Sequence, residues 1–397
     1  MYKLFTIKRY VEQIIMFPFI LIGKLIALLY PLNSEYDIFF FFPGFSIGGA
    51  ERVNAEIIKV FSDKKVIIFF TKNSPNQGMK HFFETENVTI REINHWTDNK
   101  WIYWGNLVYR GICSAYINSQ KKKTTVFVGQ CNFGYKLTPH VNRNIIINEL
   151  IHMFDPKFTW VWAPFIQFIN IRVIVGEVFR SKFEKCYRDS GIPEKYLERL
   201  KVIFYRLEYL PEKYFERKFE LPLKIYYAGR GGPQKRLWII IDVIRKCRSK
   251  NLPVQFKLAG PFKSELPNDL ILDGTYVGEI KGGNDMYDFH KSNDILLMTS
   301  AWEGFPLVIM EAMAFGTIPL VSEIDAIPEH IQHGVNGYLI RETINETEMI
   351  HEICETIVSL IGNCDTLKSN SKNAFKYALE NFGEENFRTK YREIMHF

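Results

Sequence analysis

Two stretches of the chain carry residue types able to hold a phosphate next to a sugar. Gly229, Arg230, Gly231, Gly232, Pro233, Gln234, Lys235 and Arg236 follow the apolar run KIYYA. A glycine-rich turn at the end of a strand that presents Arg230 and Lys235 makes a phosphate clamp, because Arg offers a planar fork and Lys a mobile point charge. Taken alone, the same turn also describes a solvated basic loop. The second stretch runs from Ser300 to Ser322, SAWEGFPLVIMEAMAFGTIPLVS. It predicts a strand-end loop and a helix that begins near Leu307 with Pro306 at its first turn. Gly304 lets backbone approach a ligand, and the amides of Phe305, Leu307 and Val308 at the positive helix end favour an anion such as a diphosphate. Glu303 on the loop and Glu311 about one turn into the helix can accept hydrogen bonds from hydroxyls but repel a bare phosphate. Carboxylates flanking an anion site suit a ligand with sugar rings on both sides of its phosphates, the form of a nucleotide sugar.

Other chemistry finds little support. The loop PGFSIGGAER holds Gly44, Gly48 and Gly49 but does not match GxGxxG, and KVIIFF is followed by Thr71 rather than an acid suited to a ribose, against a nicotinamide dinucleotide site. Gly48 and Gly49 either leave amides open to an anion or hydroxyl at a helix start or serve only a tight turn. No GKS or GKT exists for a P-loop. The six cysteines are far apart, with no CxxC pair and no His at ligand spacing, so neither a zinc site nor a disulfide framework is expected. No cofactor beyond a donor substrate is implied.

These loops need strands to end on. The apolar share of 47% and charged share of 24% are globular, and +6 over 397 residues is too dilute for a nucleic-acid binder. From Asp37 onward, short wholly apolar runs alternate with amphipathic ones: DIFFFF, AERVNAEIIKVF, KKVIIFF, then TTVFVGQ, NIIINELI, IRVIVG and KVIFY. That is the rhythm of strands buried in a parallel sheet between helices, so the fold class is α/β. KIYYAGR, VQFKLAG, GTYVGEI, DILLMTS and TIPLVS form a second set, separated from the first by the charged stretch from Leu210 to Pro222. The expected division is residues 34–210 and 211–374, with a helix over 375–397 packing back on the first.

Residues 1–33 stand apart. Gln13 to Leu32 is almost unbroken apolar sequence, about long enough to cross roughly 30 Å of hydrocarbon, yet interrupted by Pro18, Gly23 and Lys24. Lys3, Lys8 and Arg9 against Glu12 place the amino terminus on the cytoplasmic side. The expectation is a broken helix lying in the interface of the cell membrane's cytoplasmic face, peripheral or monotopic, with Lys24 reaching the headgroups. The alternative is a helix packed on the protein.

The chain resembles glycosyltransferase family 4, the retaining GT-B enzymes. The resemblance rests on GGAER at Gly48 to Arg52, on GR followed by K over Gly229 to Lys235, on the block from Glu303 with its EX7E spacing, and on IPEHIQHGVNGYLI from Ile327. It implies two doubly wound Rossmann-like domains facing across a cleft, no metal, and a sugar transferred with retention. It further implies that Arg230 and Lys235 bind the diphosphate, Glu311 the ribose and Glu303 the donor sugar. His152, ending NIIINELIH, matches the family's histidine near that sugar. Between Ser322 and Ile327 the family's glycine pair is replaced by Glu323, Ile324, Asp325 and Ala326, which leaves the donor sugar open. The partners implied are a nucleotide sugar, a glycan or lipid-linked acceptor and a membrane surface, without nucleic acid. Competing readings are a GT-B nucleotide-sugar epimerase and a membrane-docked scaffold without catalysis.

Overall fold

The computed structural model describes residues 1–46, 48–75, 77–342 and 345–397. It divides into two units, Met1–Phe204 with Glu385–Phe397, and Tyr205–Glu384. The first contains seven parallel strands: β1 Ile38–Phe42, β2 Val66–Phe70, β3 Val88–Glu92, β4 Thr125–Gly129, β5 Ile146–Ile151, β6 Ile171–Ile174 and β7 Leu200–Val202. The second contains six: β8 Leu223–Ala228, β9 Val254–Ala259, β10 Tyr276–Gly278, β11 Ile295–Met298, β12 Ile318–Ser322 and β13 Tyr338–Ile340. The helices that matter for the site, in chain order, are α1 Tyr2–Leu29, α2 Gly49–Val60, α3 Tyr103–Asn118, α4 Asn132–Leu137, α5 Leu237–Ser249, α6 Leu307–Ala314, α7 Cys364–Asn381 and α8 Glu384–Met395.

The strand orders are β3-β2-β1-β4-β5-β6-β7 and β10-β9-β8-β11-β12-β13, all parallel. In each sheet the connections run outward one way and then the other, leaving a switch point between β1 and β4 and another between β8 and β11. The strands are apolar throughout because both faces are covered: every residue of IFFFF, VIIFF and TVFVG is buried. Phenylalanine supplies much of that core, with Phe41 stacked on Phe69 at 5.1 Å and Phe40 tilted against Phe127 at 5.4 Å.

The sequence reading missed β3 and β13. β3, VTIRE, is an edge strand of mixed polarity, and β13 is three residues long. The unit boundary falls at 204/205, earlier than the expected 210/211. Residues 205–210 stay with the second unit because the Leu207 amide donates to Phe382 O at 3.0 Å and Arg206 pairs with Glu384 at 2.6 Å. The return to the first unit begins at Glu385, not at 375, since α7 is fixed in the second unit by Ser371 Oγ donating to Gly316 O at 2.6 Å and by Tyr214 against Phe375. α8 then joins the first unit, where Asn148 Nδ2 donates to Ile394 O at 2.7 Å and Arg392 forks onto Asp63 at 2.8 and 3.1 Å.

α1 is a single helix of 28 residues rather than a broken one, with Pro18 inside it. Gly23 is a contact point and not a break. A Cβ on Gly23 would meet Val108 O at 2.0 Å, and one on Gly111 would meet Ile20 O at 2.1 Å, so α1 and α3 cross backbone to backbone. Tyr116 Oη closes the far end by donating to Tyr30 O at 2.7 Å. The other face of α1 is bare: Leu4 is 69% exposed and Ile15 68%, with Ile7, Ile14, Leu25 and Leu28 also exposed. One apolar side of this helix is covered by its own protein and the other is not.

Candidate active site

The second unit gathers its predicted residues at the switch point between β8 and β11, where an open α/β sheet offers a ligand crevice beyond its strand ends. The loop after β8 and the loop after β11 are stitched together. The Ala301 amide donates to Gln234 O at 2.8 Å, Gln234 Nε2 to Trp302 O at 2.9 Å, and Thr299 Oγ1 to Lys235 O at 3.1 Å. Arg236 secures the seam from below. Its backbone is left-handed (φ 50°), its side chain is buried, and it donates to Thr299 O at 2.7 Å, to Ser300 O at 3.0 Å and, with both terminal nitrogens, to Glu342. Sequence reasoning gave Arg236 no role, because only the bent backbone turns it away from the ligand and into the sheet.

That seam brings Lys235 and Glu303 together as an ion pair, the two side chains only 13% and 9% exposed. Arg230, at the start of the same loop, is exposed to solvent, and its carbonyl accepts from Tyr227 Oη. Gly232 donates its amide to Glu265 at 2.9 Å and sits at φ 98°, a backbone that favours glycine, while a Cβ at Gly231 would lie 2.7 Å from Phe262 Cβ.

α6 starts as expected, with Pro306 just before it as the capping residue rather than within its first turn. Its first intrahelical donors are Ile309 and Met310, both bonding Pro306 O, and no side chain caps the end. The amides of Leu307 and Val308 therefore remain available to an anion, reinforced by the helix dipole. Gly304 precedes them, and the Phe305 ring is buried against the His330 imidazole at 3.9 Å, which anchors the loop from beneath. Burial holds His330 down at about 4. Glu311 is nearly buried, its carboxylate 3.7 Å from His290 Nε2, and His290 Nδ1 bonds Tyr226 Oη. The environment of Glu311 is thus set from within the sheet.

Asp325 was singled out only as a departure from a family pattern. It adopts φ 46° and takes the Glu303 amide on Oδ2 at 2.7 Å. Asp325 is an acid that tolerates the left-handed backbone and positions Glu303.

In the first unit, the corresponding switch point lies between β1 and β4. Gly48 is extended (φ −176°) and precedes α2, and the Glu51 side chain folds back to within 2.4 Å of a Cβ placed there. That helix end is thereby already furnished with a carboxylate, which favours a hydroxyl ligand over a phosphate at Gly48 and Gly49. His152 follows β5. Its amide donates to Gln130 Oε1 at 3.1 Å and its Nε2 lies 3.2 Å from Asn54 Oδ1. Burial pushes its imidazole down to about 4, so it is neutral at physiological pH. Gln130 sits in the left-handed region (φ 47°) at the end of β4, a strained posture common at functional sites, and no sequence signal marked it. The structure brings Lys235 to Glu303 in one unit and His152 to Asn54 and Gln130 in the other.

Two parallel sheets of seven and six strands, each doubly wound, give this protein the GT-B fold. Residues 212–374 match the family profile described as glycosyl transferases group 1. Among curated relatives, a lipopolysaccharide 1,2-N-acetylglucosaminetransferase of Salmonella typhimurium is 24% identical over 174 residues, 40% of this chain and 46% of that protein. An uncharacterised 41.2 kDa protein of the cps region of Klebsiella pneumoniae is 24% identical over 228 residues, 54% of this chain and 62% of its own. The matches thus span about half to three fifths of those relatives. Among solved structures, Anabaena HepE in complex with UDP and glucose superposes with a TM-score of 0.69 at 16% identity, covering 91% of this chain and all of that one.

Proposed function

We propose that this protein is a retaining glycosyltransferase. It moves a hexosyl group from a nucleotide-diphosphate sugar to a hydroxyl of a glycan or lipid-linked acceptor, without a metal, in the assembly of a cell-surface polysaccharide such as lipopolysaccharide or capsule. The observation that carries this reading is the convergence of Lys235, Glu303 and the uncapped start of α6 at one switch point. The relative from Salmonella that acts on lipopolysaccharide and the UDP-bound neighbour support the same class.

In this reading Arg230, Lys235 and the amides of Leu307 and Val308 take the diphosphate, and Glu311 takes the ribose. An incoming diphosphate draws Lys235 off Glu303, which frees that carboxylate for the hydroxyls of the donor sugar. As the glycosidic bond breaks, negative charge grows on the diphosphate, where the clamp is strongest. The acceptor oxygen bonds the anomeric carbon on the face the diphosphate leaves, and its proton passes to a diphosphate oxygen. Neutral His152 serves as a hydrogen-bonding partner for a sugar hydroxyl rather than as a cation. The bare face of α1 rests on the cytoplasmic face of the cell membrane. Replacing Leu4, Ile7, Ile14 and Ile15 with serine should move the protein to the soluble fraction without disturbing the α1–α3 crossing.

The deciding experiment incubates the protein with a panel of nucleotide sugars and a membrane-lipid extract. The expected result is release of nucleoside diphosphate that depends on one sugar and on the extract, with product of the donor's anomeric configuration by NMR. Acceptor-independent epimerisation, or binding without turnover, would replace this reading with the epimerase or the scaffold.

A further inference from the structure

His290 is fully buried on the helix Asn284–Ser292, and the clamp described above gives it no role. Its main chain is pinned, because Thr317 Oγ1 and Arg217 Nη1 both donate to its carbonyl, at 2.7 and 3.3 Å. Its ring lies nearly parallel to that of Phe315, with 6.1 Å between centroids, which fixes the plane. Within that plane the two nitrogens differ. Nδ1 bonds Tyr226 Oη of β8, whereas Nε2 has no hydrogen-bond partner among the described residues and lies 3.7 Å from Glu311 Oε2. A buried polar atom without a partner calls for an explanation.

The neighbours decide which nitrogen carries the proton. Burial pushes the Tyr226 phenol well above its ordinary value, so Tyr226 keeps its hydrogen and can donate it to Nδ1. A neutral ring that accepts on Nδ1 carries its own hydrogen on Nε2. The opposite tautomer would set the Nε2 lone pair against a carboxylate, which repels it. The N–H therefore lies beside Glu311, across a gap longer than the roughly 2.9 Å of a formed bond.

We propose that His290 is a positioning residue for the ribose: its Nε2–H holds one oxygen of Glu311 and thereby aims the other at the vicinal hydroxyls of a nucleoside diphosphate. Tyr226 sets the tautomer, His290 takes one side of the carboxylate, and the ligand takes the other. Hydroxyls that fix the carboxylate let the N–H close its gap, so the orphaned atom gains its partner only when a ribose is bound. A ligand without those hydroxyls brings no such gain. The proposal rests on the reading of Glu311 as the ribose ligand and adds what holds it there.

The test compares a nucleoside diphosphate, the tighter binder of UDP and GDP, with its analogue lacking both ribose hydroxyls, by calorimetry on the full-length protein. Wild type should prefer the ribose form by about 10- to 100-fold, the range of hydrogen bonds to a charged acceptor. The paired variant Tyr226→Phe/His290→Phe removes both polar partners and keeps both rings; its preference should shrink by about tenfold while the analogue binds as before. His290→Gln, whose amide can offer the same N–H, should retain part of the preference. Nitrogen NMR of ring-labelled histidine, assigned with His290→Gln, should show His290 protonated on Nε2 in wild type. Tyr226→Phe alone keeps the imidazole and releases its tautomer, so the Nδ1–H form should appear in that spectrum and the preference should fall by a smaller factor. A paired variant with the full preference, one that weakens both ligands alike, or a wild-type ring protonated on Nδ1 overturns the proposal. So does a Tyr226→Phe protein with unchanged spectrum and preference. Equal binding of the two ligands by wild type would overturn the ribose assignment of Glu311 itself, a failure distinct from a preference that survives in the variant.

Discussion

Lys235→Met removes the ammonium and keeps most of the aliphatic stem, which makes it the sharpest probe of the clamp. In the free protein Lys235 is committed to Glu303 in a site where the two side chains are 13% and 9% exposed. Binding a diphosphate therefore exchanges one anionic partner for another, and the net gain in the ground state is small. Bond breaking changes this, because the diphosphate gains charge while Glu303 stays away. At about 4 Å and an effective dielectric near 20, a full unit charge interacts by about 4 kcal/mol. Loss of one preorganised donor to a developing oxyanion costs about 2.7–4 kcal/mol, or about 100- to 1,000-fold in kcat. The expectation is a fall of that size in kcat with a donor Kd raised less than about tenfold. Glu303→Gln should act oppositely on nucleoside diphosphate, which would bind about fivefold tighter once its competitor for Lys235 is neutral, consistent with a pair worth about 1 kcal/mol. That gain should vanish in the double variant. Calorimetry with nucleoside diphosphate and steady-state transfer rates measure both arms. A raised KM with unchanged kcat in Lys235→Met, or no tightening in Glu303→Gln, would refute the exchange.

Four further outcomes rest on the same geometry. Gly23→Ala puts a methyl carbon 2.0 Å from Val108 O, so the α1–α3 crossing must separate, at a cost of about 1–3 kcal/mol in urea unfolding. His140, His152 and His330 are all held near 4, below the ordinary value of about 6.5. The unfolded chain then binds more protons between those values, so stability is full above about pH 6.5 and declines toward pH 4, readable as a falling urea midpoint from pH 7 to 5. For the same reason His152 should place no inflection in kcat/KM between pH 6 and 8. Asp325→Ala strands the Glu303 amide and keeps a left-handed backbone on a less tolerant residue, and should cost about 1–3 kcal/mol and alter the ranking of donor sugars in a competition assay.

The sheets were legible because their strands are buried on both faces, so IFFFF and ILLM announce themselves without any periodicity. β3 did not, because an edge strand such as VTIRE faces solvent in part and reads like a loop. Lys235 and Glu303 could be found as residues that end strands, and only their mutual pairing had to await the fold. Asn54, Gln130 and Arg236 could not be found, and Asp325 stood out only as a departure from a family pattern. Asn54 matters through a contact with His152, 98 positions away, and the other three through a left-handed backbone that side-chain identity does not announce. α1 shows the reverse error. Pro18 and Gly23 have low helix propensity and suggested a break, yet the helix continues because Gly23 is where another backbone must come close.

The glycine crossing of α1 on α3 also bears on how the chain is made. Gly23 leaves the ribosome about 90 residues before Gly111. At roughly 5–20 residues per second, α1 waits some 5 to 20 seconds for the surface it packs against. During that interval both of its apolar sides are bare, and a bilayer can receive it before α3 exists. On the proposed membrane-docked reading, the nascent chain would reach the bilayer ahead of folding, and the rest of the first unit would assemble against a helix already in place.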